Sequence, residues 1–277
     1  MLSYKHGYHA GNQADVLKHI CLIQAYKSLK KHYKSINYID THAGSGIYQF
    51  NHEYMSKNKE YKNGIGKLEN YQSDNKGIKY YLKILRNINN SKKLLFYPGS
   101  PLIMSYITDN NDKLSFYELH NNEYQLLRKN LSKQINSKAF NSDGFEFTNQ
   151  KINTNQKNLV LIDPSYEIKD DFDKVVNTLE ILDKNYSNLT AIIWYPVLNI
   201  ENNDLFIDNI RRLGSNRITR IELPLKKYNE EIGMKGSGII LFDGTNFLIN
   251  NIKQFVKELY LIFKDENCNI KPKIQRI

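Results

Sequence analysis

The residues Asp163-Pro164-Ser165-Tyr166 directly follow an apolar run, 158–162, and could hold a flat molecule that carries an amino group. An apolar run of this length is typical of a buried parallel strand, and open α/β sheets bind ligands at the carboxyl ends of their strands. Because Pro164 has no N–H and a fixed φ, the turn can aim the Asp163 carboxylate and the Pro164 carbonyl at the two hydrogens of one exocyclic amino group. Tyr166 would then offer a ring face for a flat base.

Two acceptors at this place suit methylation of an adenine amino nitrogen, whose lone pair is delocalised into the ring. Accepting both hydrogen bonds pushes the nitrogen toward tetrahedral geometry and frees the lone pair to attack a methyl donor, so positioning and electrostatics carry the rate. The product cation is acidic enough to lose its proton to Asp163 or to water. The same residue types also favour an ordinary turn after a strand, and at this level that alternative stays open.

A glycine turn follows an earlier predicted strand. The segment Thr41-His42-Ala43-Gly44-Ser45-Gly46 comes after the run 36–40 and is of the kind that lets backbone approach a nucleotide-like ligand. The third position of the dinucleotide fingerprint falls on Gln49, which disfavours a pyrophosphate loop. S-adenosylmethionine carries no pyrophosphate and needs only a looser turn.

Two further acidic groups come at strand ends. Glu118 closes the run 113–118 and supplies the carboxylate that such sheets use to bind ribose hydroxyls. Asp143 and Gly144 follow a short run, 138–140. Solvated loop acids are the alternative for both carboxylates.

Glu118 lies far beyond the usual offset of about 20 residues from the glycines, so a segment is inserted between the first two strands. The interval of about 48–95 is polar and rich in tyrosine, with helical patches such as 80–86. A small helical insertion is therefore expected here, not a long structureless loop.

Hydrophobic periodicity predicts alternating helices and strands along the chain. The first helix runs from Asp15 to about Lys34, with lysines on one side and buried candidates at Val16, Leu17, Ile20, Ile23 and Leu29. Strands are predicted near 36–41, 113–118, 138–142, 158–163, 190–195, 218–223 and 237–242. This order predicts one domain over residues 1–277, with a parallel sheet covered on both faces.

These segments together are similar to the RlmJ family, bacterial enzymes that methylate N6 of one adenine, adenine 2030 in standard ribosomal RNA numbering, in 23S ribosomal RNA. The resemblance covers essentially the whole chain, in order. It is carried by MLSYKHGYHAGNQADVLKH at 1–19, DTHAGSG at 40–46, YPGSP at 97–101, ELH at 118–120, DG at 143–144 and DPSYE at 163–167. The first block and YPGSP are its most specific parts.

The resemblance implies a class I S-adenosylmethionine-dependent methyltransferase fold, a Rossmann-like seven-stranded sheet whose last strand is antiparallel. The pair of final strands would include 222–225 and 236–242. It implies S-adenosylmethionine as the cofactor, with binding residues His19, His42, Ser100, Glu118, Asp143, Gly144 and Asp163. Catalysis would rest on Asp163, with Pro164 and Tyr166 beside it, and Tyr4 would contact the target nucleotide.

Two positions qualify this correspondence. Lys18, next to His19, is a weaker candidate for the site. The chain departs from the usual amine-methyltransferase motif at Ser165, where a second proline is expected. Both acceptors and the aromatic residue are kept, so the change bears on how rigidly Tyr166 is aimed.

The composition agrees with an RNA partner. The formal net charge is +10 and the sequence pI is about 9.2, which favours a polyanion. Twenty tyrosines interleaved with lysines suit stacking on unpaired bases, although the abundance of Tyr, Asn, Ile and Lys fits a skewed genome composition equally well. A base in paired or stacked RNA would have to be extruded to reach Asp163.

Other classes of site find little support. Cys21 and Cys268 show no metal or redox spacing and are expected to be reduced thiols. The histidines lack the ordered spacing of a zinc site, so no metal is expected. No segment approaches a membrane span or a signal core, so a cytoplasmic protein is expected. Without an obvious coiled coil or spare domain, it is expected to be a monomer. The basic tail, 270–276, is expected to be loose.

Two other functions stay open at the level of sequence. An adenine-N6 DNA methyltransferase would use the same motif, but it usually needs a sizeable recognition domain, and the insertion is short for one. A noncatalytic RNA-binding protein on a methyltransferase fold is the other possibility, with Ser165 as the suspicious change.

Overall fold

The computed structural model describes residues 6–149, 156–198, 200–227 and 233–277. The strands formed by these residues are β1 Ile36–Asp40, β2 Ile47–Gln49, β3 Phe96–Pro98, β4 Lys113–Tyr117, β5 Ser137–Phe140, β6 Lys157–Ile162, β7 Leu189–Val197, β8 Ile218–Pro224, β9 Gly236–Phe242 and β10 Lys273–Arg276. The α-helices are α1 Gln13–Lys30, α2 Glu53–Asn58, α3 Ile65–Leu68, α4 Lys76–Asn89, α5 Ser100–Ile107, α6 Asn121–Asn130, α7 Asp170–Asn185, α8 Ile200–Arg211 and α9 Asn246–Phe263.

The main sheet has the strand order β10-β8-β9-β7-β6-β1-β4-β5. Strand β1 pairs in parallel with β4 and β6, and β9 is antiparallel to both β7 and β8. This is the sheet of the class I methyltransferase fold, and the predicted fold class is confirmed. The order reverses between β1 and β6, so the carboxyl ends of these two strands form the crevice where such sheets bind ligands.

The sheet has eight strands where seven were expected. The additional strand is β10, which pairs antiparallel with β8 in the register Ile274 to Ile221. The prediction of a loose tail was therefore wrong. A strand at the sheet edge presents unpaired N–H and C=O groups, and β10 satisfies those of β8. Ile274 also packs against the core, which helps to hold the tail in place.

Helix α1 is buried nearly all round. It starts after Asn12, whose side chain accepts the N–H groups of Ala14 and Asp15, and it ends at Lys30, earlier than the predicted end near Lys34. The five predicted core residues are buried, but the expected lysine face is not a solvated surface at Lys18, which is 4% exposed. Packing against α4 and α9 and against the sheet covers this helix on several sides.

The chain between β1 and β4 holds α2 to α5 and the small sheet of β2 and β3. The helical patch predicted at 80–86 lies inside α4, which buries Tyr81 and Leu85 completely. The two ends of this interval pair antiparallel, Tyr48 opposite Tyr97, an arrangement that the sequence pattern did not indicate. The pairing holds the insertion close to the glycine turn.

Two hydrophobic clusters cover the two faces of the main sheet. One contains the buried side chains of α1, α4 and α9, and the other contains those of α7 and α8. Each fully buried Leu or Ile contributes roughly 1.5 to 3 kcal/mol relative to an exposed one. The sheet is thus a rigid platform for its carboxyl edge. Among the described helices, none is both long enough and apolar enough to cross a membrane.

Candidate active site

The turn Asp163-Pro164-Ser165 lies at the carboxyl end of β6, beside the glycine turn that follows β1. All six residues of β6 are buried, and the apolar residues 159–162 suit a strand that is covered on both faces. The N–H of Thr41 donates to the carbonyl of Leu161 at 3.0 Å and extends the pairing of β1 with β6. The two turns therefore meet at the switch point of the sheet, as the sequence predicted for ligand-binding loops.

A buried charge network surrounds the Asp163 carboxylate. Lys18 donates from Nζ to Asp163 Oδ2 and also lies 2.7 Å from Asp15 Oδ1. The other oxygen of Asp15 accepts the Gly11 N–H at 2.8 Å and lies 3.0 Å from His6 Nε2. The side chains of Lys18, Asp15 and Asp163 are 5%, 2% and 12% exposed. One cation is thus shared by two carboxylates in a poorly solvated place.

Burial and charge act against each other in this network. Burial raises the pKa of Asp163, and the nearby Lys18, followed by His6, holds that rise back. Burial would lower the pKa of Lys18, but its two carboxylate partners raise it above its usual range, so the ammonium stays charged. Burial also opposes ionisation of Asp15, yet Lys18 and His6 keep its pKa well below the usual value.

The glycine turn is joined to Glu118 at the end of β4. The N–H of Gly44 donates to Glu118 Oε2 at 2.9 Å, and the N–H of His120 donates to Oε1 at 2.7 Å. Gly44 has φ +61°, and a Cβ at this position would lie 2.2 Å from the Tyr48 hydroxyl. Glycine is required here by both backbone conformation and space. The Glu118 carboxylate is consequently fixed against the turn.

Asp143 and Gly144 approach the same crevice from the end of β5. A Cβ on Gly144 would lie 1.7 Å from the carbonyl oxygen of Thr41, so only glycine allows this contact between backbones. Asp143 accepts the Phe145 N–H at 2.9 Å, and Lys174 Nζ lies 3.7 Å from its other oxygen. These contacts fix the carboxylate at the rim of the crevice.

The two predicted histidines are both neutral near pH 7. Burial lowers the pKa of His19 to about 3 and that of His42 to about 4. His19 shares a 2.7 Å hydrogen bond between Nδ1 and the Tyr97 hydroxyl and stacks on that ring. His42 meets the ring of Phe145 edge-on, with centroids 5.0 Å apart. Neutral imidazoles of this kind pack and hydrogen-bond without adding charge to the crevice.

One cavity joins the predicted residues. Its lining includes His19, His42, Ser100, Glu118, Asp143, Gly144, Asp163 and Pro164, together with the weaker candidate Lys18. Asp40, next to the cavity at the end of β1, is fully buried, and burial raises its pKa to about 6 although Ser100 and Tyr38 donate hydrogen bonds to it. Tyr4 lies outside the described residues.

Tyr166 is not among the residues that line this cavity. Its ring packs against Phe172 and Trp194, with centroids 4.5 and 5.7 Å away, and its hydroxyl donates to the Trp194 carbonyl at 2.5 Å. Tyr166 has φ +54°, and its N–H donates to Asp171 Oδ2 at 3.1 Å. These contacts hold the ring away from the predicted stacking position, so the arrangement does not support that role.

Several residues of the site were not predicted from the sequence. His6 lines the cavity, and Lys174 and Asp171 line it from α7. Asp15, which does not line it, completes the network around Lys18. A signal was present for part of this set, since Asp15, Lys18 and His19 are spaced three and four residues apart and share one face of a helix. Asp171 and Lys174 had no comparable signal, because the acidic first turn of α7 resembles an ordinary solvent-exposed helix start.

The described residues contain no group of three or more His, Cys, Asp or Glu side chains that could hold a metal ion. Cys21 and Cys268 are both buried free thiols, and burial raises the pKa of Cys21 above its usual value. Neither thiol takes part in the cavity.

Known proteins resemble this chain in sequence and in fold over most of its length. The family model described as ribosomal RNA large subunit methyltransferase D, RlmJ, matches residues 33–264. The ribosomal RNA large subunit methyltransferase J of Haemophilus influenzae is 36% identical over 261 residues, covering 94% of this chain and 93% of that protein. The protein of the same name from Escherichia coli is 35% identical over 244 residues, covering 88% and 87%.

A crystal structure of a Legionella pneumophila protein superposes with a TM-score of 0.86 at 30% identity, covering 97% of this chain and 98% of that one. The family model matches most of the chain. The matched residues include β1 and β6, whose following turns line the cavity. The sequence matches show that the chain belongs to the RlmJ family of ribosomal RNA large subunit methyltransferases.

Proposed function

We propose that this protein transfers a methyl group from S-adenosylmethionine to N6 of adenine 2030 in 23S ribosomal RNA. The observation that carries the proposal is the single cavity that joins Asp163 and Pro164 with Glu118 and the glycine turn. Membership of the family supports an RNA substrate of the large subunit. The proposal includes a cytoplasmic monomer that needs no metal.

The donor set of the cavity fits S-adenosylmethionine. Glu118 offers carboxylate oxygens to ribose hydroxyls, and Asp143 offers an acceptor to the adenine amino group. Gly44 and Gly144 bring backbone close to the ligand, and a Cβ at either glycine would collide with its surroundings. His19, His42 and Ser100 complete this side of the cavity. When bound, the cofactor supplies an electrophilic methyl group on a positively charged sulfur.

Asp163 and the Pro164 carbonyl would accept the two hydrogens of the target amino group and direct its lone pair toward the methyl carbon. The amino nitrogen would take the methyl group that the bound cofactor supplies, and the amino proton would leave to Asp163 or to water. Lys18 keeps the Asp163 carboxylate ionised and oriented through their direct ion pair. Positioning and electrostatic stabilisation of this kind supply much of the rate in enzymes.

The test is transfer of labelled methyl to unmodified 23S ribosomal RNA, with the modified nucleoside identified by mass spectrometry. We expect N6-methyladenosine from the wild type and a loss of at least about a hundredfold in kcat for Asp163→Ala. RNA binding should remain. Asp173→Ala, an exposed acid on α7, is the matched control and should retain full activity.

The same assay separates the two other functions. Methylation of duplex DNA in preference to ribosomal RNA would indicate a DNA methyltransferase. Tight binding of S-adenosylmethionine without turnover on ribosomal RNA or on assembly intermediates would indicate a noncatalytic RNA-binding protein. Either result would overturn the proposal.

A further inference from the structure

The positive charge of the chain is concentrated in the segment between β1 and β4. Residues 48–95 contain ten lysines and arginines against four acids, a surplus of six within a net charge of +10 for 277 residues. All nine lysines of this segment are exposed. A basic surface of this density attracts a polyanion.

A second cavity, of about 640 Å³, opens on this segment. Phe50 and Tyr61 form its aromatic wall, with ring centroids 4.6 Å apart and an interplanar angle of 38°. Phe96 and Leu95 add apolar surface, and Leu95 is 61% exposed. Lys93 supplies a cation at the lining. Partly exposed aromatic rings beside a lysine are the components with which proteins hold unpaired nucleotides.

The small sheet of β2 and β3 connects the second cavity to the first. On β2, Tyr48 lines the first cavity, and the next residue, Gln49, lines the second. On β3, Phe96 lines the second cavity, and Gly99, which directly follows this strand, lines the first. Three residues of extended chain span about 10 Å. The two cavities are therefore close enough to hold two nearby nucleotides of one RNA strand, with the target base in the first cavity.

We propose that the second cavity binds an unpaired nucleotide of the ribosomal RNA substrate that lies close to the target adenine in the strand. The inference rests on the proposed function, because it assigns to that function a second contact with the same RNA. The base stacks on the wall formed by Phe50 and Tyr61, and the neighbouring phosphate pairs with Lys93. Anchoring there helps to hold the extruded adenine at Asp163.

The polar groups of this cavity also bear on which base fits. Glu69 lines it, and its Oε1 accepts the Leu94 N–H at 2.9 Å, so the carboxylate is held in place. A fixed carboxylate accepts hydrogen bonds from base N–H groups. A base that carries an amino group is therefore favoured over one that does not.

The first experiment measures kcat and KM for 23S ribosomal RNA and the affinity for S-adenosylmethionine. Phe50→Ala should raise the KM for RNA about tenfold, as expected for loss of one stacked base, and Phe50→Tyr should restore it. Lys93→Glu should also raise this KM and reduce the salt dependence of RNA binding by about one phosphate contact. Cofactor affinity should stay unchanged in all three variants.

The control variant, Lys133→Glu, makes the same charge change at an exposed lysine. Lys133 precedes the amino end of β5 and so lies at the opposite edge of the sheet from the crevice. The variant should leave the KM for RNA near the wild-type value. An equal rise for Lys133→Glu and Lys93→Glu would show a general charge effect and would overturn the proposal of a site.

A direct readout does not depend on the stability of a variant. Wild-type protein is crosslinked with ultraviolet light to unsubstituted ribosomal RNA, in which a base of any type can react, and the attached peptides are identified by mass spectrometry. Crosslinks to peptides around Phe50 or Lys93 support the inference. Their absence, with crosslinks formed elsewhere, would overturn it.

The two proposals fail in different ways. A wild-type protein that transfers no methyl to ribosomal RNA contradicts the proposed function. A wild type that methylates this RNA, with an unchanged KM in Phe50→Ala and Lys93→Glu, contradicts only the second binding site.

Discussion

Replacing Lys18 with methionine removes the cation that Asp15 and Asp163 share and keeps a side chain of similar length. Lys18 Nζ contacts both carboxylates, and all three side chains are nearly buried. The change leaves two carboxylates close together without their neutralising partner. Each would then find ionisation less favourable, because burial and mutual repulsion both disfavour the charged form.

The expected effects follow from this geometry. Breaking a buried ion pair by removal of one partner costs about 3 to 5 kcal/mol of the free energy of unfolding. Loss of an opposite charge at this distance raises a carboxyl pKa by about 1 to 3 units. Burial already raises the pKa of Asp163 in the wild type. The proposed mechanism requires ionised Asp163, so activity should be lost as the pH falls through this pKa.

The assay records kcat for RNA methylation from pH 5 to pH 9 together with urea unfolding at pH 7. Lys18→Met should move the acid limb of the pH profile upward by about 1 to 3 units, with activity partly recovered at high pH. The control is Lys30→Met on the same helix, since Lys30 pairs with Asp109 and Asp112 at 2.8 and 3.1 Å, outside the cavity. It should lower stability and leave the pH profile unchanged.

An acid limb at the wild-type pH in Lys18→Met, with the protein folded, would refute the role of Lys18 in keeping Asp163 ionised. Loss of activity at every pH would point instead to a contact between Lys18 and the substrate.

Three other substitutions address separate parts of the site. Glu118→Ala should weaken S-adenosylmethionine binding by about ten- to a hundredfold, since a charged hydrogen bond contributes about 1.5 to 3 kcal/mol; calorimetry that finds unchanged affinity would exclude Glu118 from the cofactor site. Asp171→Ala removes the acceptor of the Tyr166 N–H and should lower the free energy of unfolding by about 1 to 3 kcal/mol; urea unfolding that finds no change would show that this hydrogen bond does not stabilise the turn. His19→Gln should reduce acid sensitivity. With its pKa lowered from 6.5 to about 3, His19 takes up a proton on unfolding below pH 6.5, so its contribution to stability falls by about 2 kcal/mol between pH 7 and pH 5; urea unfolding at both pH values in the variant should lack this part of the loss.

The local hydrophobic pattern of the sequence was sufficient to predict the order of the strands along the chain. It also predicted which edge of the sheet carries the candidate site. The seven predicted strands all form, because apolar runs such as 158–162 are stable only when both faces of a strand are covered. The residues that directly follow these runs, Asp163 and Glu118 among them, then necessarily lie at the carboxyl edge. Their position directly after a strand is thus enough to place these residues near the cavity.

Tertiary structure decided which side chains meet across long separations. Lys18 contacts Asp163 over 145 residues of chain, and helical periodicity alone assigns a lysine to the solvated face. The packing of α1 between the sheet and other helices brings this lysine inside, where a carboxylate compensates for its burial. The same holds for β10, whose place depends on the unpaired edge of β8.

The orientation of the Tyr166 ring likewise could not be predicted from the sequence. The four-residue motif identifies an aromatic group near the acceptors, but its φ of +54° is maintained by Asp171 and Trp194, which belong to other elements. Sequence therefore determined the strands, their order and the groups at their ends, because these depend on local periodicity. Ion pairs, edge pairing and ring orientation depend on contacts between distant segments, and only the folded chain defines them.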